Sequence, residues 1–364
     1  MSKYLKALIQ PVFKNFWLKN KSSLNLDYEL EKMIISYVQS ESYKLVSNYW
    51  NYLNIKNLSQ INNKNLENYS TTIARNYFTF IDVSEDEINQ TMLNVQDSFI
   101  SEKVNLFKKQ KNMSFVESMK YNNLTFLLYL NLKKLNLLGK LNLLSDRGYL
   151  GYNDPFIEIN DIKVTTDKIN SLLDYEKINE FKSFSDKKYI LEIGAGSGRT
   201  SEAILTFNSN IKYTICDIPP ALYISYERLK KVFDKKKIGL LYNLNSAEEF
   251  NKEINNYDIS FVMPHQLDFI KNKKFDLTIA INCIHEMNKK QIKNYFININ
   301  NISKLFYFSV WKKTIVPISG IFKKTRNVLD YFSNDYNIPK NWIKNYESDL
   351  VFPSNSICSG YEIK

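Results

Sequence analysis

The sequence predicts an α/β fold, a parallel sheet covered by helices and preceded by a mostly helical N-terminal region. Three observations predict it. The first 150 or so residues hold almost no glycine and space their apolar residues at helical intervals. From Tyr189 onward, short β-rich runs alternate with amphipathic stretches, the pattern of strands joined by crossover helices. Between the two, Gly148, Gly151 and Pro155 in "SDRGYLGYNDPF" punctuate the chain and mark a loop or junction. Two domains are therefore expected in the 364 residues, 1–150 and 151–364.

In chain order, "YELEKMIISYVQSESYKLVSNYWNYL" from Tyr28 brings Met33, Tyr37, Tyr43 or Leu45 and Tyr49 round near every fourth place, which predicts helix. The most apolar run, "LTFLLYLNLKKLNLLGKLNLL" from Leu124, is interrupted by Asn131, Lys133, Lys134 and Lys140. It falls short of the ~20 apolar residues of a transmembrane span, so a packed amphipathic helix is expected, with peripheral membrane contact as the alternative. "YILEIGAG" from Tyr189 reads as the first strand and its turn, and "IKYTICDI" (Ile211–Ile218) as the second. Pro219 and Pro220 open a helix that sets Leu222, Tyr226, Leu229 and Phe233 on one face. "DISFVMP" (Asp258–Pro264), "FDLTIAIN" (Phe275–Asn282) and "KLFYFSVW" (Lys304–Trp311) supply the third, fourth and fifth strands. Between the last two, Asn288 with Gln291 resembles a capping box, and Ile292, Phe296 and Ile299 follow on one face. "NWIKNYES" and "SGYEIK" are expected to pair as a closing hairpin.

Composition narrows the function classes. At 44% hydrophobic and 14% aromatic residues, the chain carries the buriable surface of a packed protein, not of a disordered one. The net charge of +11 comes from 44 Lys against 5 Arg, scattered without a dense basic block. Solvated lysines fit that distribution better than a specific nucleic-acid partner, whose phosphates and bases favour the planar Arg fork. Cys216, Cys283 and Cys358 are widely separated and lack C-x-x-C spacing, which implies a reducing compartment and no structural zinc; no acidic or histidine cluster suggests another metal. The opening "MSKYLKALIQPVFKNFWLKN" has its apolar stretch broken by Gln10 and Pro11, with no small-residue cleavage site after it. A cytoplasmic protein without a transmembrane segment is expected.

The chemistry is concentrated in "YILEIGAGSGRTSEAIL" (Tyr189–Leu205). A strand that ends in a glycine turn and feeds a helix brings bare backbone to a ligand at the carboxyl edge of the sheet. Dinucleotide folds need G-x-G-x-x-G, but here Gly194, Gly196 and Gly198 give G-x-G-x-G, and Arg199 stands where the third glycine would be. Glu192, two places ahead of the first glycine, points to a cationic ligand group, as in the amino and sulfonium groups of S-adenosyl-L-methionine. Asp217 ends the second strand, where a carboxylate accepts hydrogen bonds from ribose hydroxyls.

These residues resemble motif I of the class I S-adenosylmethionine-dependent methyltransferases. "YTICDIPPALYISYERL", "ISFVMPHQLDFI" and "FDLTIAINCIHEMNKKQIKNYFININ", with "PFIEINDIKVTT" earlier, are further similar to a bacterial sugar O-methyltransferase family, over roughly residues 150 to 315. The resemblance implies a Rossmann-like class I methyltransferase sheet. It implies that Glu192, Gly194, Gly196 and Gly198 line the methionine end and that Asp217 with Ile218 holds the ribose. It also places His265 or Gln266 near the adenine and Asn282 under the sulfonium.

A sugar hydroxyl is a poor nucleophile at neutral pH, so a base near it is expected. Of the two histidines, His285 in "NCIHEM" lies three residues past Asn282, on the acceptor side. Glu286 is the alternative base, or it orients His285 or the acceptor. Tyr149, Tyr152 and Trp311 are candidates to stack on an acceptor ring, and Lys312 to meet a phosphate or carboxylate on it. The leading expectation is O-methylation of a sugar in a surface glycan or a nucleotide-sugar precursor. The alternatives are O-methylation of a phenolic or polyketide hydroxyl, a nucleic-acid methyltransferase, and a non-catalytic S-adenosylmethionine-binding protein. The N-terminal helices are expected to cover the acceptor or to form a homodimer interface.

Overall fold

The computed structural model describes residues 13–24, 26–61, 66, 73, 83–95, 102–145, 155–244, 246–270, 274–317 and 326–364. Among these, the N-terminal region is helical as expected, with α1 (Phe13–Asn20), α2 (Tyr28–Gln39), a short 3-10 turn (Glu41–Leu45), α3 (Asn48–Gln60), α4 (Glu85–Leu93), α5 (Phe115–Lys134) and α6 (Leu138–Ser145). Local chemistry fixes several starts. Asp27, Ser47, Ser84 and Ser114 each accept a backbone N–H of the helix they precede, and Ser114 with Glu117 forms a full capping box. Helices α5 and α6 divide the leucine-rich run between them, the first burying Leu124, Leu128, Leu130 and Leu132 and the second Leu141 and Leu144. Among the described residues, no helix is long and apolar enough to cross a membrane.

"PFIEINDIKVTT" forms a hairpin of β1 (Ile157–Ile159) and β2 (Ile162–Val164). Its turn residues Asn160 and Asp161 both have positive φ, 48° and 67°, the backbone a two-residue hairpin requires. Helix α7 (Thr166–Phe181) then leads to the main sheet.

That sheet has eight strands, β3 (Tyr189–Ile193), β4 (Lys212–Cys216), β5 (Ile238–Leu240), β6 (Ile259–Val262), β7 (Leu277–Ile281), β8 (Leu305–Trp311), β11 (Trp342–Asp349) and β12 (Ser356–Ile363). Their order is β11-β12-β8-β7-β3-β4-β6-β5. The six strands from β8 to β5 are parallel; β12 runs antiparallel beside β8, and β11, antiparallel to β12, points the same way as the six. This is the Rossmann-like class I arrangement the sequence predicts, its order reversing direction at β3, where the glycine turn lies. All five expected strands and the closing hairpin are present. The short strand β5 and a separate antiparallel pair, β9 (Lys313–Pro317) with β10 (Arg326–Asp330), are additions that the sequence reading did not contain.

Helices cover both faces, and the two-residue strand period sorts side chains between them. Ile190, Tyr213, Ile215, Ile279 and Tyr307 face one core with α7, α8 (Arg199–Phe207) and α9 (Ala221–Val232). Leu191, Cys216, Ala280, Phe306 and Phe308 face the other with α10 (Ala247–Glu253) and α11 (Lys289–Ile302). Leu30, Met33, Ile34 and Tyr37 of α2 belong to the first core, so the N-terminal helices pack against the sheet's own hydrophobic centre. The junction expected near residue 150 lies outside the described residues.

Two local expectations are refined. Pro220 is the N-cap of α9, which starts at Ala221; Leu222 and Leu229 are fully buried and Tyr226 partly so. Asn288 caps α11 by accepting the Gln291 N–H at 3.0 Å, but its amide donates to the Leu45 carbonyl at 2.7 Å, and only that half of the box is formed by side chains.

Candidate active site

The carboxyl ends of β3, β4 and β7 open into one cavity. Its floor is the glycine turn. Gly194, Gly196 and Gly198 all have positive φ, 71°, 57° and 74°. A Cβ on Gly194 would lie 2.5 Å from the Cys283 Cβ, so only glycine lets β3 and the β7 loop close on each other there. Gly198 caps α8 and faces α9, its missing Cβ 3.2 Å from Ser225; it serves helix packing and is absent from the cavity lining.

The turn is tied down from both sides. Gly196 N–H donates to Asp217 Oδ2 at 2.8 Å, and Ile218 N–H to Asp217 Oδ1 at 2.7 Å. Behind it, fully buried Arg228 bonds Glu202 (2.9 Å), Asp167 (3.1 Å) and the Ser197 hydroxyl (3.1 Å), while Arg199 pairs with Asp174 at 2.7 Å. Arg199 therefore faces the cavity already bound to a carboxylate, which is what its place in the third-glycine position is used for.

Three carboxyls line this one cavity, Glu192, Asp217 and Glu286. Burial pushes each upward: Asp217 to about 6, Glu192 to about 7 and Glu286 to about 8, with the Asp217 charge adding to the last two. Opposing this, Asp217 accepts its two backbone N–H bonds, Glu192 accepts the hydroxyls of Ser201 and of Tyr213 (2.8 Å), and Glu286 Oε2 accepts the Trp50 indole N–H at 3.1 Å.

The remaining predicted residues separate. Asn282 ends β7 at φ 52°, a left-handed position that asparagine tolerates, and lines the cavity with its N–H held by Ser309. Ile218 lines it too. His285 lines it, stacked on Trp311 with ring centroids 4.8 Å apart; burial drives its pKa down to about 3, and its Nδ1 has no hydrogen-bond partner. His265 and Gln266 lie elsewhere. The Gln266 side chain is fully buried and spends its amide on the Leu241 and Leu244 carbonyls and its oxygen on the Met263 N–H, so it braces the β6 turn. His265, its pKa lowered by burial, is likewise outside the cavity lining. Lys312 pairs with Asp349 at 2.9 Å, and Tyr149 and Tyr152 lie outside the described residues.

The sequence reading missed Trp50, Asn170, Gln291, Tyr295 and Pro353, all of which line the cavity. None carries a local signature, since Trp50 reads as one more apolar position of a helix and Asn170 as one of many asparagines. Asn170 Oδ1 and Gln291 Oε1 are buried acceptors without a partner. Among the described residues, no group of three acidic, histidine or cysteine side chains is set to hold a metal.

No protein family matches the chain, and no curated protein does. Among solved structures the chain is similar to the PH0226 protein of Pyrococcus horikoshii OT3 (14% identity, 54% of this chain and 91% of that one, TM-score 0.36). It is similar to the pyocyanin biosynthetic protein PhzM (13%, 54% and 56%, 0.36) and to the glycopeptide N-methyltransferase MtfA complexed with sinefungin (10%, 52% and 85%, 0.34). Likeness at this level says nothing of this chain's chemistry, which rests on the cavity itself.

Proposed function

We propose that the protein is an S-adenosylmethionine-dependent O-methyltransferase and that its acceptor is a sugar hydroxyl. The observation that carries the reading is the convergence of Glu192, Asp217 and Glu286 on the glycine turn, with the one described cation of the lining, Arg199, already neutralised by Asp174. Such a site suits a ligand bearing positive charge and disfavours a pyrophosphate, because like charges brought together in a low-dielectric cavity repel strongly. The unpartnered acceptors Asn170 Oδ1 and Gln291 Oε1 fit the same ligand, which is rich in N–H and O–H donors.

S-adenosylmethionine, when bound, supplies a methyl group made electrophilic by its sulfonium. The chain's residues do the rest. Asp217, fixed by two backbone N–H bonds, retains lone pairs for ribose hydroxyls; Glu192 and Asn170 suit the amino end. Glu286 takes the acceptor proton as the oxygen gains its methyl group. It fits that task better than His285, since a base with a pKa near the working pH is the most effective, and a histidine held near 3 stays neutral but weakly basic. His285 on Trp311 then orients the acceptor, and the two indoles of Trp50 and Trp311 supply apolar faces to the lining.

The test is transfer of labelled methyl from S-adenosylmethionine to glycosides, nucleotide-sugars and phenols, read by product mass, beside calorimetry with S-adenosylmethionine and NADH. A methylated glycoside and no NADH binding are expected; tight NADH binding with no response to the methyl donor would end the reading. Methylation confined to phenols would retain the enzyme class and replace the acceptor.

A further inference from the structure

We propose that Trp50, on α3 of the helical N-terminal region, is a positioning residue of the reaction centre, holding the Glu286 carboxyl in place while Leu45 and Ser47 pin the turn that carries it. The inference rests on the reading of Glu286 as the base.

Three hydrogen bonds join the two segments across more than 230 residues of sequence. Trp50 Nε1–H donates to Glu286 Oε2 at 3.1 Å, the Ser47 hydroxyl donates to the Glu286 carbonyl at 3.3 Å, and the Asn288 amide donates to the Leu45 carbonyl at 2.7 Å. Ser47 is also the N-cap of α3, accepting the Trp50 backbone N–H at 3.3 Å. One residue therefore starts the helix, fixes Trp50 one turn further on and reaches the turn beneath the base. Residues three apart share a helix face, so both side chains arrive on the same side.

The indole is more than a wall of the cavity. Phenylalanine or leucine would cover the same surface, but tryptophan adds a donor that cannot accept, and such a donor bonds a carboxylate more strongly than a neutral acid. The other ionisable groups sharing the cavity are Asp217 at the end of β4, Glu192 from β3, Cys283 and His285 beside Glu286, Tyr295 from α11, and Arg199, which Asp174 neutralises. Asp217 opposes ionisation of Glu286, and its Trp50 bond favours it. Trp50 thus sets both where the carboxyl lies and how readily it ionises.

The experiment needs no acceptor. Full-length protein carrying carboxyl-labelled glutamate and nitrogen-labelled indole is titrated by NMR, with Glu286→Gln and Trp50→Phe used for assignment. In wild-type protein the Trp50 indole resonance should move with pH at the same midpoint as the Glu286 carboxyl, and Glu286→Gln should abolish that movement. In Trp50→Phe the carboxyl midpoint should rise by about one pH unit, the size expected for losing one hydrogen bond to a charged group. Wild-type protein should bind S-adenosylhomocysteine, measured by calorimetry. An indole resonance that stays flat through the Glu286 titration overturns the proposal, as does an unmoved midpoint in folded Trp50→Phe. If that variant fails to fold, the wild-type indole titration against Glu286→Gln decides alone. Failure of wild-type protein to bind S-adenosylhomocysteine would instead overturn the methyltransferase reading.

Discussion

At the scale of single residues, His285 and Glu286 are neighbours whose surroundings drive their pKa values in opposite directions. The same burial that strips the histidine of its charge protonates the glutamate, because each is pushed toward its neutral form. Glu286→Gln should lower turnover by about 10² to 10⁴-fold, as loss of a positioned base does, while His285→Gln should keep most activity if the ring only orients the acceptor; steady-state kinetics on the acceptor found above distinguishes them. The carboxyls also make stability depend on pH. Between the ordinary carboxyl range and about 6, 7 and 8, Asp217, Glu192 and Glu286 hold protons in the folded protein that the unfolded chain has released, so folding loses stability as pH rises through that window. Melting curves of the ligand-free protein should fall between pH 5 and 9, less steeply in Glu286→Gln. Binding a cation reverses the sign: S-adenosylmethionine favours the ionised carboxylates, so its affinity should rise from pH 5 to 8 and binding should release protons, seen as a buffer-dependent heat.

At the scale of elements, the strand, glycine turn, helix and acidic strand end were legible because each is a local pattern with a physical cause. Gly194 illustrates it. Its φ of 71° and the 2.5 Å approach of Cys283 mean that Gly194→Ala should cost about 1 to 3 kcal/mol in denaturant unfolding, with Cys283→Gly restoring part of it. Gly198 was legible as part of the motif, but its packing against Ser225 required the fold to see. The unforeseen elements lack local marks. Strand β5 is three residues long, and β9 pairs with β10 across a connection that no periodicity announces. Gln266 misled for a related reason: its place after the third strand suits a ligand contact, but its amide and oxygen are consumed by three backbone groups that only the folded β5–β6 edge brings near. Trp50 was illegible because its partner lies 236 residues away.

At the scale of the whole molecule, the charge of +11 comes from lysines scattered along the chain, none of which lines the cavity that Glu192, Asp217 and Glu286 share. Binding to RNA or duplex DNA should accordingly be weak and removed by moderate salt in a filter or anisotropy assay, since dispersed lysines neutralise phosphate without reading bases. The sheet order has its own consequence. Strand β12 is the latest of the eight in sequence, but it lies inside the sheet, between β8 and β11, with Gly360 pressed against Phe181 of α7, a helix that precedes every strand of the sheet. During synthesis the parallel strands emerge first and must wait, β8 showing a bare edge to the cell until residue 363 has left the ribosome. Nascent chains stalled before Ser356 should therefore be captured by chaperones and cut by protease, whereas chains extended past Lys364 by a linker long enough to span the exit tunnel should resist both.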